Sequence, residues 1–271
     1  MREVVPLLAI DHEFLMHALL SLSSLHLAYL RPDEAERFEV LATRHQNIAL
    51  PLFRSALACV TEQNCHALYV CGHLVTKYAL ATPKLRLDLL FSSSIESTID
   101  LMGLLRGSFA IHDYALEWLS NGPLGFCLEK PIEEDPDPGR NPHDSRLAHL
   151  LALLLNDTCD DTLVCCSALQ ILRKLFAMAA TPDQTISTKT LAYSWPIQVP
   201  ERFIMLVGEK KPEALVVLAH YCVMLRMIDS FWFMKGCAAG ILKQCRDNLD
   251  SKWHPTIRWS MDAVGLRCDE A

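Results

Sequence analysis

AHYCVMLRMIDSFWFMKGCAAGILKQC, residues 219–245, decides how this chain is read. Its apolar side chains fall on most sides of a helix instead of one stripe, which predicts an element buried in a core. The run then narrows to Gly-Cys-Ala-Ala-Gly at 236–240. Gly236, Ala239 and Gly240 stand at i, i+3 and i+4 and share one face of such a helix. Each helical glycine costs about 1 kcal/mol relative to alanine, so a smooth face needs a reason. Close approach by another backbone is one, and a flat apolar ligand is another. Phe231, Trp232 and Met234, one turn earlier, supply large and adaptable walls. Plain packing between crossing helices accounts for the same residues, so packing and pocket both stand. Arg226 and Asp229, three apart, are spaced for a local ion pair at the rim or for a solvated edge.

Composition points the same way. The chain has 271 residues, 51% hydrophobic and 21% charged, with only 10 glycines. That is the balance of a well-packed helical protein with a large core. A net charge of −7, without any basic run, predicts no direct contact with nucleic acid. His220, Arg226, Asp229 and Lys235 interrupt the opening stretch, and the apolar run from Leu147 is short, so no membrane span is expected. The first residues, MREVVPLLAIDHEF, lack the long apolar core and small-residue cleavage site of a secretory signal. The 11 cysteines sit mostly inside apolar helical patterns, which predicts reduced, buried thiols in a nuclear or cytoplasmic protein.

Outward from the opening stretch, helical periodicity continues. Asp11 is placed to cap a helix carrying Phe14, Leu15, Ala18, Leu19, Leu22 and Leu25 and stopping near Leu30. Pro32 suits the first turn of a second helix running past Phe53, with a kink expected at Pro51. A third helix is expected over 62–81 and a fourth over 93–119, ending at Asn121-Gly122. Residues 122–144 are rich in proline and acid and read as an exposed, mobile loop. Helices follow at 145–155 and 161–180, then a second loop at 181–200. A short helix at 201–207, the long apolar helix and a last helix at 253–264 complete the chain. Strand signals are nearly absent. The expected architecture is all-α: a single-domain irregular helical bundle over 1–271 with a hydrophobic internal pocket.

Spacing decides each candidate chemical motif. In HEFLMH, His12 and His17 are five apart and point roughly 140° from each other, unlike a zinc-protease helix. No Cys-x-x-Cys pair occurs, and Cys59, Cys65 and Cys71 do not share a helix face. NDTCDD at 156–161 lies between helices, where Asp and Asn commonly cap. GEKKPEAL lacks the ending of a phosphate loop. No nucleophile, base and orienter stand at readable spacing. Neither a metal nor a cofactor is expected, and no catalytic residue is assigned.

AIDHEFLMHALLSLSSLHLAYL (9–30), RHQNIALPLFRSAL (44–57) and NCHALYVCGHLVTKYALA (64–81) resemble the opening helices of the regulatory domain of fungal zinc-cluster transcription factors. Residues 195–259 resemble the same domain's end, and the sterol uptake control regulators are the group most alike. The resemblance implies an all-α domain that tends to dimerise and holds ergosterol in an apolar pocket near its C-terminal helices. Carried over, the ligand-binding residues are Phe231, Trp232, Met234, Gly236, Cys237, Ala239 and Gly240. His26 and Tyr78 are candidate hydrogen-bonding partners for a ligand hydroxyl, against the plainer reading of satisfied core residues. One departure matters. The family's DNA-binding end carries six cysteines in a Cys-x2-Cys-x6-Cys pattern among basic residues, and nothing here matches it. The expectation is therefore a ligand-sensing regulatory domain without its own DNA-binding module, with a sterol- or terpenoid-like partner and a possible homodimer. A cofactor-independent cyclase, pericyclase or isomerase of secondary metabolism, acting through proximity in the same apolar pocket, is the alternative. A dimerisation module without ligand is the third.

Overall fold

A computed structural model describes residues 3–83, 85, 87, 101–128, 136–156, 159–181 and 186–266. The fold is all-α: the described residues form 13 α-helices and no strand. Two compact units divide the chain, one of residues 1–82 and 103–130, the other of 83–102 and 131–271.

The first unit holds α1 (Val4–Asp11), α2 (Glu13–Leu30), α3 (Ala35–Leu57), α4 (Cys65–Ala81), nearly all of α5 (Leu101–Tyr114), and α6 (Leu116–Asn121). The periodic apolar residues of α2 and α3 do what their spacing predicts. Phe14, Leu15, Ala18, Ala49 and Phe53 join Leu68, Cys71 and Leu74 of α4 in one core. Ser21 donates to the Ala42 carbonyl at 2.9 Å, and His17 meets His45. As residue numbers rise along α2 they fall along α3, so the two helices run antiparallel. Helical backbone passes through Pro51.

Asp11 is not the cap expected of it. It is the last residue of α1, and His12, in extended conformation, precedes α2 without a side-chain cap. The expected helix over 93–119 lies partly outside the described residues, and its described part breaks at Ala115 between α5 and α6. Its end at Asn121, with Gly122 following in extended backbone, agrees with the expectation.

The second unit holds α7 (Asp144–Leu154), α8 (Asp160–Ala179), α9 (Thr188–Gln198), α10 (Glu201–Gly208), α11 (Pro212–Arg226), α12 (Cys237–Asp247) and α13 (His254–Val264). In α11 every residue from Ala214 to Cys222 is buried, as an all-round apolar helix requires. Trp195 on α9, fully buried, stacks on Tyr221 of α11 at 4.2 Å and meets Phe203 of α10 edge-on at 5.4 Å. Its indole nitrogen donates to the Ala168 carbonyl of α8 at 2.9 Å. α8 is long and apolar enough to cross a membrane by length and composition, yet half of that stretch is buried within the protein. Its Arg173 is also tied to Asp144 by two hydrogen bonds of 2.7 Å.

Three expectations for the rest of the chain are corrected. The loop expected at 181–200 contains α9, because Ser187 caps it by accepting from the Thr190 backbone N–H at 3.2 Å, and Leu191, Ala192 and Trp195 bury one side. The segment 122–144 is not simply exposed: its described parts include buried Leu124 and Asn141 and two short 3-10 turns, with 129–135 outside the described residues. Above all, 219–245 is not one helix. α11 ends at Arg226, a 3-10 turn covers Trp232–Met234, and α12 begins at Cys237.

Candidate functional site

The break between α11 and α12 is built by two residues. Asp229 accepts a 2.8 Å hydrogen bond from the Gly236 backbone N–H and a 3.1 Å bond from Arg226, closing the loop on itself. The ion pair expected between Arg226 and Asp229 is thus present. Gly236 sits at φ 69°, a left-handed conformation that disfavours any residue with a Cβ. It is the N-cap of α12, and its carbonyl accepts the helix's first bond from Gly240 at 3.0 Å.

The shared smooth face of Gly236, Ala239 and Gly240 therefore does not exist, because Gly236 lies before the helix. A Cβ added there would meet nothing within 4 Å. Conformation, not crowding, is the reason for the glycine.

The aromatic run forms the outer part of this loop. Phe231 and Phe233 stack at 5.7 Å, and Trp232 meets Phe233 edge-on at 5.8 Å. Phe231 is 40% exposed and Trp232 half-buried, whereas Met234 and Cys237 are buried completely or nearly so. Ala239 and Gly240 are half-buried on α12. These seven residues share one loop-and-helix segment of the second unit. The other two belong to the first unit. His26 lies on an exposed face of α2, not on its apolar stripe. Tyr78 is buried, with its hydroxyl 3.3 Å from Thr43 Oγ1.

Cys237 opens onto a buried group of hydroxyls and thiols that sequence reasoning missed. Burial and then the Cys237 thiol push Tyr193 above the ordinary tyrosine range. Tyr221 is raised by burial first, then by Cys237, Tyr193 and Cys222. Cys222 is raised by burial, then by Cys245 and Cys237. Burial raises Cys245 as well. Tyr193, Tyr221, Cys222 and Cys245 therefore stay protonated near neutral pH, which makes these thiols poor nucleophiles and the tyrosines hydrogen-bond donors.

The two hydroxyls differ in one respect. Tyr221 donates to the Ala192 carbonyl at 2.7 Å. Tyr193 Oη is buried and has no hydrogen-bond partner among the described residues. The signal that was available is LAYSW at 191–195, whose apolar spacing marks α9 and places Tyr193 between buried neighbours.

Elsewhere, no group of three or more His, Cys, Asp or Glu side chains is placed to hold a metal among the described residues. A surface depression of about 470 Å³ is lined by Glu36, Arg37, Val40 and Leu41 of α3 and involves none of the nine residues expected to bind ligand.

Residues 1–80, which take in α1 to α3 and nearly all of α4, match the family profile described as "Fungal specific transcription factor domain". Over 229 residues the chain is 29% identical to the "Zn(2)-C6 fungal-type transcription factor afumD" of Aspergillus fumigatus. That alignment covers 81% of this chain and 58% of the relative, so the chain spans less than two thirds of the protein it matches. No solved structure matches. Both likenesses are to fungal transcription-factor sequences, and they support the family resemblance carried by the opening helices.

Proposed function

We propose that this chain is a regulatory domain of the fungal transcription-factor kind, and that its second unit senses a sterol- or terpenoid-like metabolite. The match over 1–80 and the relative aligned over 229 residues support the regulatory role. With a net charge of −7 and no basic six-cysteine run, these residues are given no DNA contact of their own. The domain acts in the nucleus through partners, a second copy of itself included.

The Tyr193 hydroxyl carries the ligand reading. A buried O–H left without a partner costs roughly 1–3 kcal/mol. A guest oxygen would remove that cost, while Met234 and the buried α12 residues Ala238 and Ile241 offer apolar contact. Phe231, Trp232, Met234, Gly236, Cys237, Ala239 and Gly240 are assigned to the guest, with Tyr193 added. Phe231 and Gly236, both exposed, mark the side of entry. His26 is exposed and Tyr78 is engaged with Thr43, so neither is given a ligand role.

Native mass spectrometry of the purified chain tests the guest. A retained hydrophobic molecule, removable by organic solvent, is expected; a bare chain that also fails to take up added sterol contradicts the reading. Tethering the chain to an unrelated DNA-binding domain tests the regulatory role. Reporter expression should change with added sterol, and an unresponsive reporter in the presence of proven binding would refute regulation while leaving the guest intact. Chemical conversion of the guest would instead favour the pocket enzyme.

A further inference from the structure

A second feature lies in the first unit, apart from the proposed guest. His17 of α2 and His45 of α3 face each other across the most extensive helix pairing of that unit. Their Nδ1 atoms are 2.8 Å apart and their ring centroids 5.1 Å apart. Glu13, one turn before His17, places its carboxylate 3.8 Å from His17 Nε2. Arg44, beside His45, contributes a positive charge. Glu13 and Arg44 thus bring one charge of each sign to the pair. Nearby polar links are Ser21 to the Ala42 carbonyl, which does not titrate, and Thr43 Oγ1 to the Tyr78 hydroxyl.

We propose that His17 and His45 form a proton-operated clasp between α2 and α3. A Nδ1-to-Nδ1 hydrogen bond needs one nitrogen that carries a proton and one that offers a lone pair. The neutral pair meets this condition, and a pair holding one extra proton meets it with a charge-assisted bond. When both rings are protonated, two N–H groups point at each other at hydrogen-bonding distance and two positive charges oppose across the gap. No acceptor remains, and the rings must part.

The surroundings bias the pair against that last state. His45 is held below the ordinary imidazole range by burial first, then by the His17 ring and by Arg44. Folding the clasp therefore excludes a proton that the open chain binds. The contact survives the first proton and is lost as pH falls below the range in which free histidine titrates, where the second proton binds. Both rings are only partly buried, so protons reach them without unfolding of the unit. Because the rings join the two helices that frame this core, their parting loosens α2 against α3.

Hydrogen exchange on the full chain, corrected for the intrinsic pH dependence of exchange, tests the clasp. Between about pH 7.5 and pH 4.5, protection over residues 13–57 should fall by about tenfold in the wild type. In His45→Asn, whose amide reaches the place of Nδ1 and does not titrate there, the fall over the same interval should be largely absent. His17→Asn provides the same comparison if the first variant does not fold. Imidazole nitrogen NMR on the wild type adds a readout that needs no variant: the two rings should titrate in linked steps. Equal pH profiles in wild type and variants, or two rings titrating independently, would overturn the proposal.

Discussion

α2 and α3 in the first unit and α11 in the second solve burial in opposite ways. The first two each turn one stripe inward and keep polar groups at its edge: half-buried His17 and His45 meet each other, and exposed Thr43 meets the buried Tyr78 of α4. α11 has almost no outward face, so its polar groups must find partners inside: His220 is hydrogen-bonded to the Val216 carbonyl at 2.8 Å and Tyr221 to Ala192 at 2.7 Å. A stripe can be altered at its edge with little consequence. An interior helix transmits every change to several neighbours, and a buried polar atom without a partner, such as Tyr193 Oη on the adjoining α9, is costly.

The sharpest way to break this comparison is to remove Trp195. Its ring is shared by α9, α10 and α11 and its nitrogen by α8, so Trp195→Ala should cost about 3–5 kcal/mol in denaturant unfolding. A loss below about 1 kcal/mol would mean that the second unit is not packed around that ring.

Next comes pH. Burial pushes His220 down to about 4, from an ordinary value of 6.5, although its bond to Val216 acts the other way. Between those values the unfolded chain binds a proton that the folded chain refuses. The stability due to neutral His220 is therefore full above pH 6.5 and declines as pH falls toward 4. The total loss is about 3 kcal/mol, and His220→Gln should flatten it. An unchanged slope in that variant would show that other groups set the acid sensitivity.

Smaller still is the effect of Gly236→Ala. The left-handed backbone should cost about 1–2 kcal/mol, with no added cost from crowding, since the space beside the glycine is open. A larger residue such as leucine should then cost about as much as alanine. A steep rise with side-chain size, measured by the same unfolding experiment, would reinstate a packed face.

Much of the fold was legible because α2, α3, α7 and α8 keep a single helical period with recognisable ends. Three features were not. α1 has no apolar stripe to mark VVPLLAID as a helix, and its last residue, Asp11, reads as the cap of the helix that follows. α9 carries Ser, Thr and Pro196, residues that ordinarily mark a loop, and its burial comes from Leu191, Ala192 and Trp195. The break after Arg226 was hidden by an aromatic run that continues the apolar pattern. Asp229 and Gly236, the two residues that close the loop, were the signal, but each has an ordinary helical reading as ion-pair partner or smooth-face residue. Tyr193 is hidden for a related reason: the Ser, Thr and Pro of its segment read as loop, and whether a hydroxyl has a partner depends on tertiary neighbours that no local pattern records.

The proposed guest depends most on the Tyr193 hydroxyl. Titration of the full chain with a fluorescent sterol, dehydroergosterol, in wild type and in Tyr193→Phe tests it most directly. Saturable binding by the wild type is predicted, weakened about tenfold when the hydroxyl is removed, the equivalent of one hydrogen bond. Absence of binding by a folded wild type, or equal affinity in the two proteins, would contradict the account.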